Sequence, residues 1–334
     1  MLRRLRRPAA LLAPLLLMSA LATGCGEEKN IDTGALKGDD AFTIAGDVGS
    51  TPDVTWKGRL AADKPETSVV ATGDGAALVK DDGVLVNYWV GNGFTEKTAL
   101  DTYATDAFPL EFTVGAEVPA PTSPQPTQDE IGRFLLDSFV AGEVAAGDTV
   151  GTRKTVIVNS SNVVGYSGAS LDIGNLDGLL IVIDIDSVVL DGPKGDPQPR
   201  SPQLPTIKLA KKLPAGLDFA KTPEPDGELH VSTLVEGTGA PVQKNDLITV
   251  NYLGQVYDGD KPFDESYSKG TPFTRPIGQG AVVKGWDQGL VGLTVGSRVI
   301  LEIPPALGYG KAGQGEAIPG GATLYFVIDI LAAG

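Results

Sequence analysis

The side chains that most often carry catalysis are scarce here: 334 residues contain one histidine and one cysteine. His230 is read as having no nearby base, nucleophile or metal-ligand partner, which makes it a surface residue of a strand. Gly308, Gly310 and Gly313 satisfy a GxGxxG pattern. No strand-to-helix transition follows them, and Ile318 with Pro319 leads into a strand, so a dinucleotide cradle is excluded. Taken singly, Asp264 is a turn-capping carboxylate, Trp286 is core packing, and Tyr252 and Tyr309 are half-buried tyrosines with a polar tip. Asp184, Asp186 and Asp329 alternate with apolar residues and read as solvent-facing charges. Any chemistry here must come from joint placement, not from one reactive group.

The elements that place these residues are written twice. VNYWV at Val86–Val90 returns as VNYLG at Val250–Gly254, and TVGTR at Thr149–Arg153 returns as TVGSR at Thr294–Arg298. LLIVIDI at Leu179–Ile185 returns as LYFVIDI at Leu324–Ile330, in the same order. In the second copy Ile248, Val250 and Tyr252 alternate with polar residues, as do Leu324, Phe326, Ile328 and Ile330 with Tyr325, Val327 and Asp329. Period two predicts strands with one buried face. Val283, Trp286, Leu290 and Leu293 follow helical spacing, so one short amphipathic helix can lie on that face. The expected class is α+β. The first copy carries a Pro-rich insertion, Glu117–Glu130, read as an irregular loop.

Length allows two domains with their own cores. With 43 glycines and 24 prolines the composition suits a β-rich, loop-rich protein. The net charge of −15 repels nucleic-acid phosphates and anionic headgroups, so nucleic acid is excluded as a partner and membrane contact must be covalent. Arg3, Arg4, Arg6 and Arg7 precede an apolar stretch from Leu11 to Met18, the layout of an export signal. Cys25 follows Leu21, Ala22, Thr23 and Gly24, which resembles the lipobox of bacterial lipoproteins. That resemblance implies cleavage before Cys25 and lipidation of its sulfur, with the protein exported and anchored to the membrane outside the cytoplasm.

Residues 229–331 resemble the FKBP family of peptidyl-prolyl cis/trans isomerases through VNYLG, KPFDES (Lys261), PFTRPIG (Pro272), VVKGWDQGL (Val282), GYG (Gly308) and AIPGGATLYFVIDIL (Ala317). The resemblance implies two FKBP-like domains, each a twisted antiparallel β-sheet wrapped around one short α-helix. The implied layout is a signal peptide at 1–24, a flexible tether at 25–50, a degenerate copy at 51–190, a Pro-rich linker at 191–205 and an isomerase domain at 206–334.

The same resemblance makes Trp286 the floor beneath a substrate proline, with Tyr252, Phe263, Phe273, Val282, Val283, Ile318 and Phe326 as apolar walls. Asp264 and Tyr309 become the polar members, and the Val283 N–H and Tyr309 hydroxyl hold peptide carbonyls. Neither cofactor nor metal is implied. The expected function is isomerisation of X-Pro bonds in exported proteins, with proline-containing polypeptides as clients and rapamycin-type macrolides as inhibitors. The rival is a non-catalytic chaperone or proline-peptide-binding lipoprotein. Arg275 and Ala317 depart from the family pattern. In the first copy Tyr88, Asp101 and Tyr166 are matched to Tyr252, Asp264 and Tyr309, while Phe139 or Ala141 stands for Trp286, Leu110 for Phe273 and Ile181 for Phe326. That copy is expected to be weakly active or inactive.

Overall fold

Both repeats build an antiparallel sheet of the same strand order. The computed structural model describes residues 34–104 and 107–334; the segment expected to be an export signal and Cys25 lie outside them. In the first sheet Glu66–Ala71, Arg153–Asn159, Gly178–Val189, Gly83–Asn92 and Lys97–Asp101 lie side by side, with Leu110–Thr113 also on Gly83–Asn92. In the second the order is Gly195–Pro197, His230–Gly237, Arg298–Ile303, Leu324–Ala333, Leu247–Val256 and Asp264–Glu265, with Phe273–Pro276 on Leu247–Val256. The repeats even share a bulge. The first sheet skips Asp186 between Ile185 and Ser187, and the second skips Leu331 where the partners of Thr249 and Val250 jump from Ala332 to Ile330.

Each sheet lays one face on a helix. Helix α1 (Gln128–Glu143) starts at Thr127, whose hydroxyl accepts the Glu130 N–H while its own N–H donates to the Glu130 carboxylate. That reciprocal cap ends the Pro-rich loop three residues earlier than the composition suggested and makes this helix long, not short. Gly132, Leu136 and Val140 form its buried stripe against Val86, Tyr88, Ile181 and Ile183. Helix α2 (Lys284–Gly289) is a six-residue piece capped by Val283. Gly285 lets it approach closely, since a Cβ there would stand 2.5 Å from Ile303 Cγ2.

The sequence expectation of one buried face fails for both sheets. Trp89, Leu180 and Val182 on the reverse of the first sheet are buried with Phe42 and Trp56 of a hairpin, Phe42–Ala45 with Asp53–Trp56. Leu253, Tyr325 and Val327 on the reverse of the second pack beneath Thr206–Ala210 and Leu213–Asp218, with Leu217 and Phe219. Large apolar residues at the alternate positions demanded a cover. The described part of the expected tether is therefore partly strand, and within the expected linker Gly195–Pro197 pairs with Val235–Gly237. Gly34–Gly334 forms one compact unit holding both sheets.

The strand aspartates also correct the sequence reading. Asp184 and Asp329 are buried and accept paired hydrogen bonds from Arg153 (2.7 and 2.6 Å) and Arg298 (2.6 Å twice). The arginine of each TVG[TS]R motif thus neutralises the aspartate of each VIDI motif. The remaining Arg153 donors reach the carbonyls of Gly46, Asp47 and Ser50, which ties down the segment expected to be loose. No helix among the described residues is long and apolar enough to cross a membrane.

Candidate functional site

The second sheet and α2 enclose a hollow of about 190 Å³, lined by Tyr252, Phe263, Asp264, Phe273, Ala281, Val282, Val283, Trp286, Tyr309 and Phe326. Tyr252 faces it because it alternates with Leu253, which packs on the reverse. Trp286 is the hub. The rings of Tyr252, Phe326 and Phe273 meet it nearly edge-on, with centroids 5.5, 5.3 and 6.0 Å away and interplanar angles of 80°, 84° and 88°. Edge-to-face contacts hold the rings without closing the space between them. Gly254 is the residue this crowding requires: a Cβ there would lie 2.5 Å from Phe263 and 2.6 Å from Phe326. The Trp286 indole N–H is buried without a hydrogen-bond partner among the described residues.

The polar edge is a relay of donors onto one carboxylate. The Tyr252 hydroxyl donates to Asp264 Oδ2, Lys269 Nζ donates to Oδ1 at 2.8 Å, and the Glu265 N–H also donates to Oδ1. Burial disfavours ionisation of Asp264, but the hydrogen bonds from Lys269 and Tyr252 outweigh it and hold the carboxyl below its ordinary value. Burial, with the Asp264 carboxylate as hydrogen-bond partner, pushes the Tyr252 phenol up. Burial and the same charge push Tyr309 up. Both phenols therefore stay protonated and able to donate. Behind them the Tyr252 N–H donates to Ser266 Oγ (3.0 Å), which donates to Asn251 Oδ1 (2.9 Å), fixing the turn that presents Asp264.

The lining of the hollow holds every pocket residue singled out from the sequence except Ile318, which is buried in the same apolar cluster as Tyr252, Trp286 and Phe326. Sequence reasoning missed Lys269, Ser266 and Ala281. Lys269 carried a weak signal as the cation five residues after Asp264; Ser266 and Ala281 carried none. Arg275 lies with its guanidinium 4.9 Å from the Phe273 ring centroid, at the pocket's edge.

The first copy differs in a way the alignment of sequence motifs had wrong. Thr102 makes the bonds of Ser266, accepting the Tyr88 N–H and donating to Asn87. Asp101 opposes Trp89 as Glu265 opposes Leu253, so Leu100, not Asp101, stands where Asp264 does. Counting back from the matched turn glycines, Gly147 and Gly292, which donate to Leu78 and Val242, sets Ala141 in the place of Trp286. Tyr166 is 87% exposed and supplies no counterpart of Tyr309. Tyr88 is wholly buried, its hydroxyl donating to Asp137 at 2.6 Å beneath Arg133, and Leu136, Val140 and Ile181 are wholly buried around it. A hollow of about 800 Å³ on this half is lined by Val114, Val118, Phe134, Leu135, Ser138 and Ala141, without Tyr88 or a cluster of aromatic rings.

Comparison with known proteins agrees with this geometry. A family model described as FKBP-type peptidyl-prolyl cis-trans isomerase matches residues 239–331. The chain is 44% identical over 116 residues to peptidyl-prolyl cis-trans isomerase FKBP15-2 of Arabidopsis thaliana, covering 34% of this chain and 71% of that one. It is 40% identical over 110 residues to an FK506-binding protein of Streptomyces anulatus, covering 33% and 89%. FK506-binding protein 2 of Dictyostelium discoideum is 39% identical over 116 residues, covering 35% and 86%. The chain belongs to the FKBP-type peptidyl-prolyl cis-trans isomerase family and is an enzyme of that class.

Proposed function

We propose that isomerisation takes place in the hollow above Trp286, on X-Pro bonds of exported polypeptides, with the chain held at the membrane by lipid on Cys25. The observation that carries this reading is an open cavity walled by five aromatic rings, those of Tyr252, Phe263, Phe273, Trp286 and Phe326, with the Asp264 carboxylate and the Tyr309 phenol at its rim. An X-Pro imide resists rotation because its C–N bond is conjugated, with a barrier of about 18–20 kcal/mol. Twisting removes the conjugation and makes the C–N unit less dipolar. An apolar wall therefore solvates the twisted form better than the planar one, and no nucleophile is needed. Lowering the barrier by roughly 4 kcal/mol gives about a thousandfold acceleration.

In this mechanism the pyrrolidine ring rests on Trp286 between Phe273, Phe326 and Val282. The Val283 N–H and the Tyr309 hydroxyl hold the flanking carbonyls, and Asp264, fixed by Tyr252 and Lys269, faces the carbonyl carbon before the proline. The relatives named for binding FK506 support a macrolide of that kind as an occupant of the same hollow. The test is exchange spectroscopy on a short X-Pro peptide with the full chain, beside Trp286→Ala and Asp264→Val. Catalysis by the wild-type chain that falls about a hundredfold in Trp286→Ala supports the site. Full activity in that variant refutes it, and spontaneous exchange with folded wild-type chain favours a purely binding protein.

A further inference from the structure

His230, read from the sequence as a lone strand residue, has two carboxylates beside it. Its Nε2 stands 3.0 Å from both Asp226 oxygens, and Glu302 lies directly opposite it in the sheet register. Oxygen and nitrogen donors of Asp226, His230 and Glu302 lie within 4.8 Å of one another. A divalent ion bound at about 2.0–2.2 Å in tetrahedral geometry needs its ligands about 3.4 Å apart, a closure that half-exposed side chains reach by rotating. Asp226 is also held from behind. The Glu228 N–H donates to Asp226 Oδ1 at 2.9 Å, and Tyr325, itself 1% exposed, stands opposite Glu302 in the sheet register. Outer-layer donors of this kind orient metal ligands.

The cluster is separate from the isomerase hollow. Glu302 and Tyr325 alternate with Leu301, Ile303, Leu324 and Phe326, which point to the pocket side, so the three donors lie on the reverse of the sheet. We propose that Asp226, His230 and Glu302 form a surface site for a divalent transition-metal ion of the Zn²⁺ type, water completing the coordination. Imidazole with two carboxylates suits such an ion better than Mg²⁺, which prefers oxygen alone and keeps its waters. The ion would join the loop before His230–Gly237 to the neighbouring strand Arg298–Ile303, closing the start of the second sheet.

The full chain is titrated with Zn²⁺ by calorimetry, and with Co²⁺ while following its visible absorption. The ring protons of the single histidine are followed by NMR. Saturable binding that shifts the His230 ring signals, falls beyond detection in His230→Ala and is clearly weakened in Glu302→Gln supports the site. Cys25→Ser controls for the thiol and should bind as wild type. Zn²⁺ binding unchanged in His230→Ala, lost in Cys25→Ser, or matched by Mg²⁺ at the same affinity overturns the proposal, the last outcome reporting only a general attraction to an acidic surface.

Discussion

The two sheets share strand order, bulge, the arginine–aspartate pair and the hydroxyl turn, yet only one of them keeps an open aromatic hollow. The parts held in common are backbone devices: Thr102 and Ser266 fix the same turn, and Arg153 and Arg298 neutralise the same strand aspartate. The parts that differ are volumes. Trp286 is replaced by Ala141 and Asp264 by Leu100, while a sixteen-residue helix in place of six residues brings Leu136 and Asp137 over Tyr88. A fold of this kind survives exchange of its pocket side chains because its stability rests elsewhere, in sheet faces and buried pairs. A catalytic hollow is a place where packing was left incomplete.

The sharpest test of that contrast is Trp286→Ala against Ala141→Gly. The first should reduce kcat/KM about a hundredfold, since removing the floor forfeits roughly 2.7 kcal/mol of barrier lowering, and should also cost about 3–5 kcal/mol of stability. The second should leave activity within about twofold. Peptide exchange rates and urea midpoints on both variants decide it. A large activity loss in Ala141→Gly would mean that the first sheet contributes to turnover.

The shared pairs give the next largest effect, on stability alone. Arg153→Met and Arg298→Met each leave a buried aspartate uncompensated, a loss of about 3–5 kcal/mol. Arg153→Met should be the more damaging, because Arg153 also binds three carbonyls of the Gly46–Ser50 segment and Asp184 accepts the Gly49 N–H. Urea denaturation measures the difference. Equal losses would show that the anchored segment adds nothing to the pair.

Much of the second copy was legible in the sequence because its pocket residues are carried by short contiguous motifs whose alternation fixes which side each faces. Phe263 with Asp264, and Val282 with Val283 and Trp286, come as units, so placing one places the others. The reverse faces were not legible. Trp89 and Tyr325 sit at positions that alternation assigns to solvent, and only the hairpins from the expected tether and the start of the last domain show why they are apolar. The matching of Asp101 to Asp264 failed for a related reason: letters aligned by type ignored the register, in which Thr102 and not the acidic residue is the fixed point. His230 was misread on two counts: Asp226, four residues earlier, folds back onto its ring, and Glu302 is its neighbour only through the sheet register.

The bulge offers a smaller and opposite test. Leu331 occupies it in the second sheet and Asp186 in the first. Burial pushes the Asp186 carboxyl well above the usual carboxylate range, Asp184 adds to this, and the hydrogen bond from Asn87 opposes it. A carboxyl whose folded value is raised contributes stability that is fully present below the unfolded value and is lost as pH rises through the folded one. Asp186→Asn should therefore be more stable than wild type at neutral pH by about 1–2 kcal/mol, the gap closing towards about pH 4. Melting curves across that range test it, and a constant gap would mean that Asp186 does not titrate there.

The smallest effect, and the one that separates the pockets by charge, is at Asp264, where the first copy has Leu100. The Lys269 and Tyr252 hydrogen bonds depress its folded value, so the sign is reversed: its contribution is present above the ordinary carboxylate value and is lost as pH falls through the lowered one. With its side chain 48% exposed, water screens the pair with Lys269 and the stability at stake is under about 1 kcal/mol. Turnover should stay flat from neutrality to about pH 5 and decline only below the usual carboxylate range. Lys269→Met should move that decline upward in pH while leaving the neutral rate nearly unchanged, because the lysine holds the carboxylate without facing the hollow. A pH profile of kcat/KM for the two proteins measures the displacement, and superimposable profiles would show that the charge on Asp264 does not matter to the reaction.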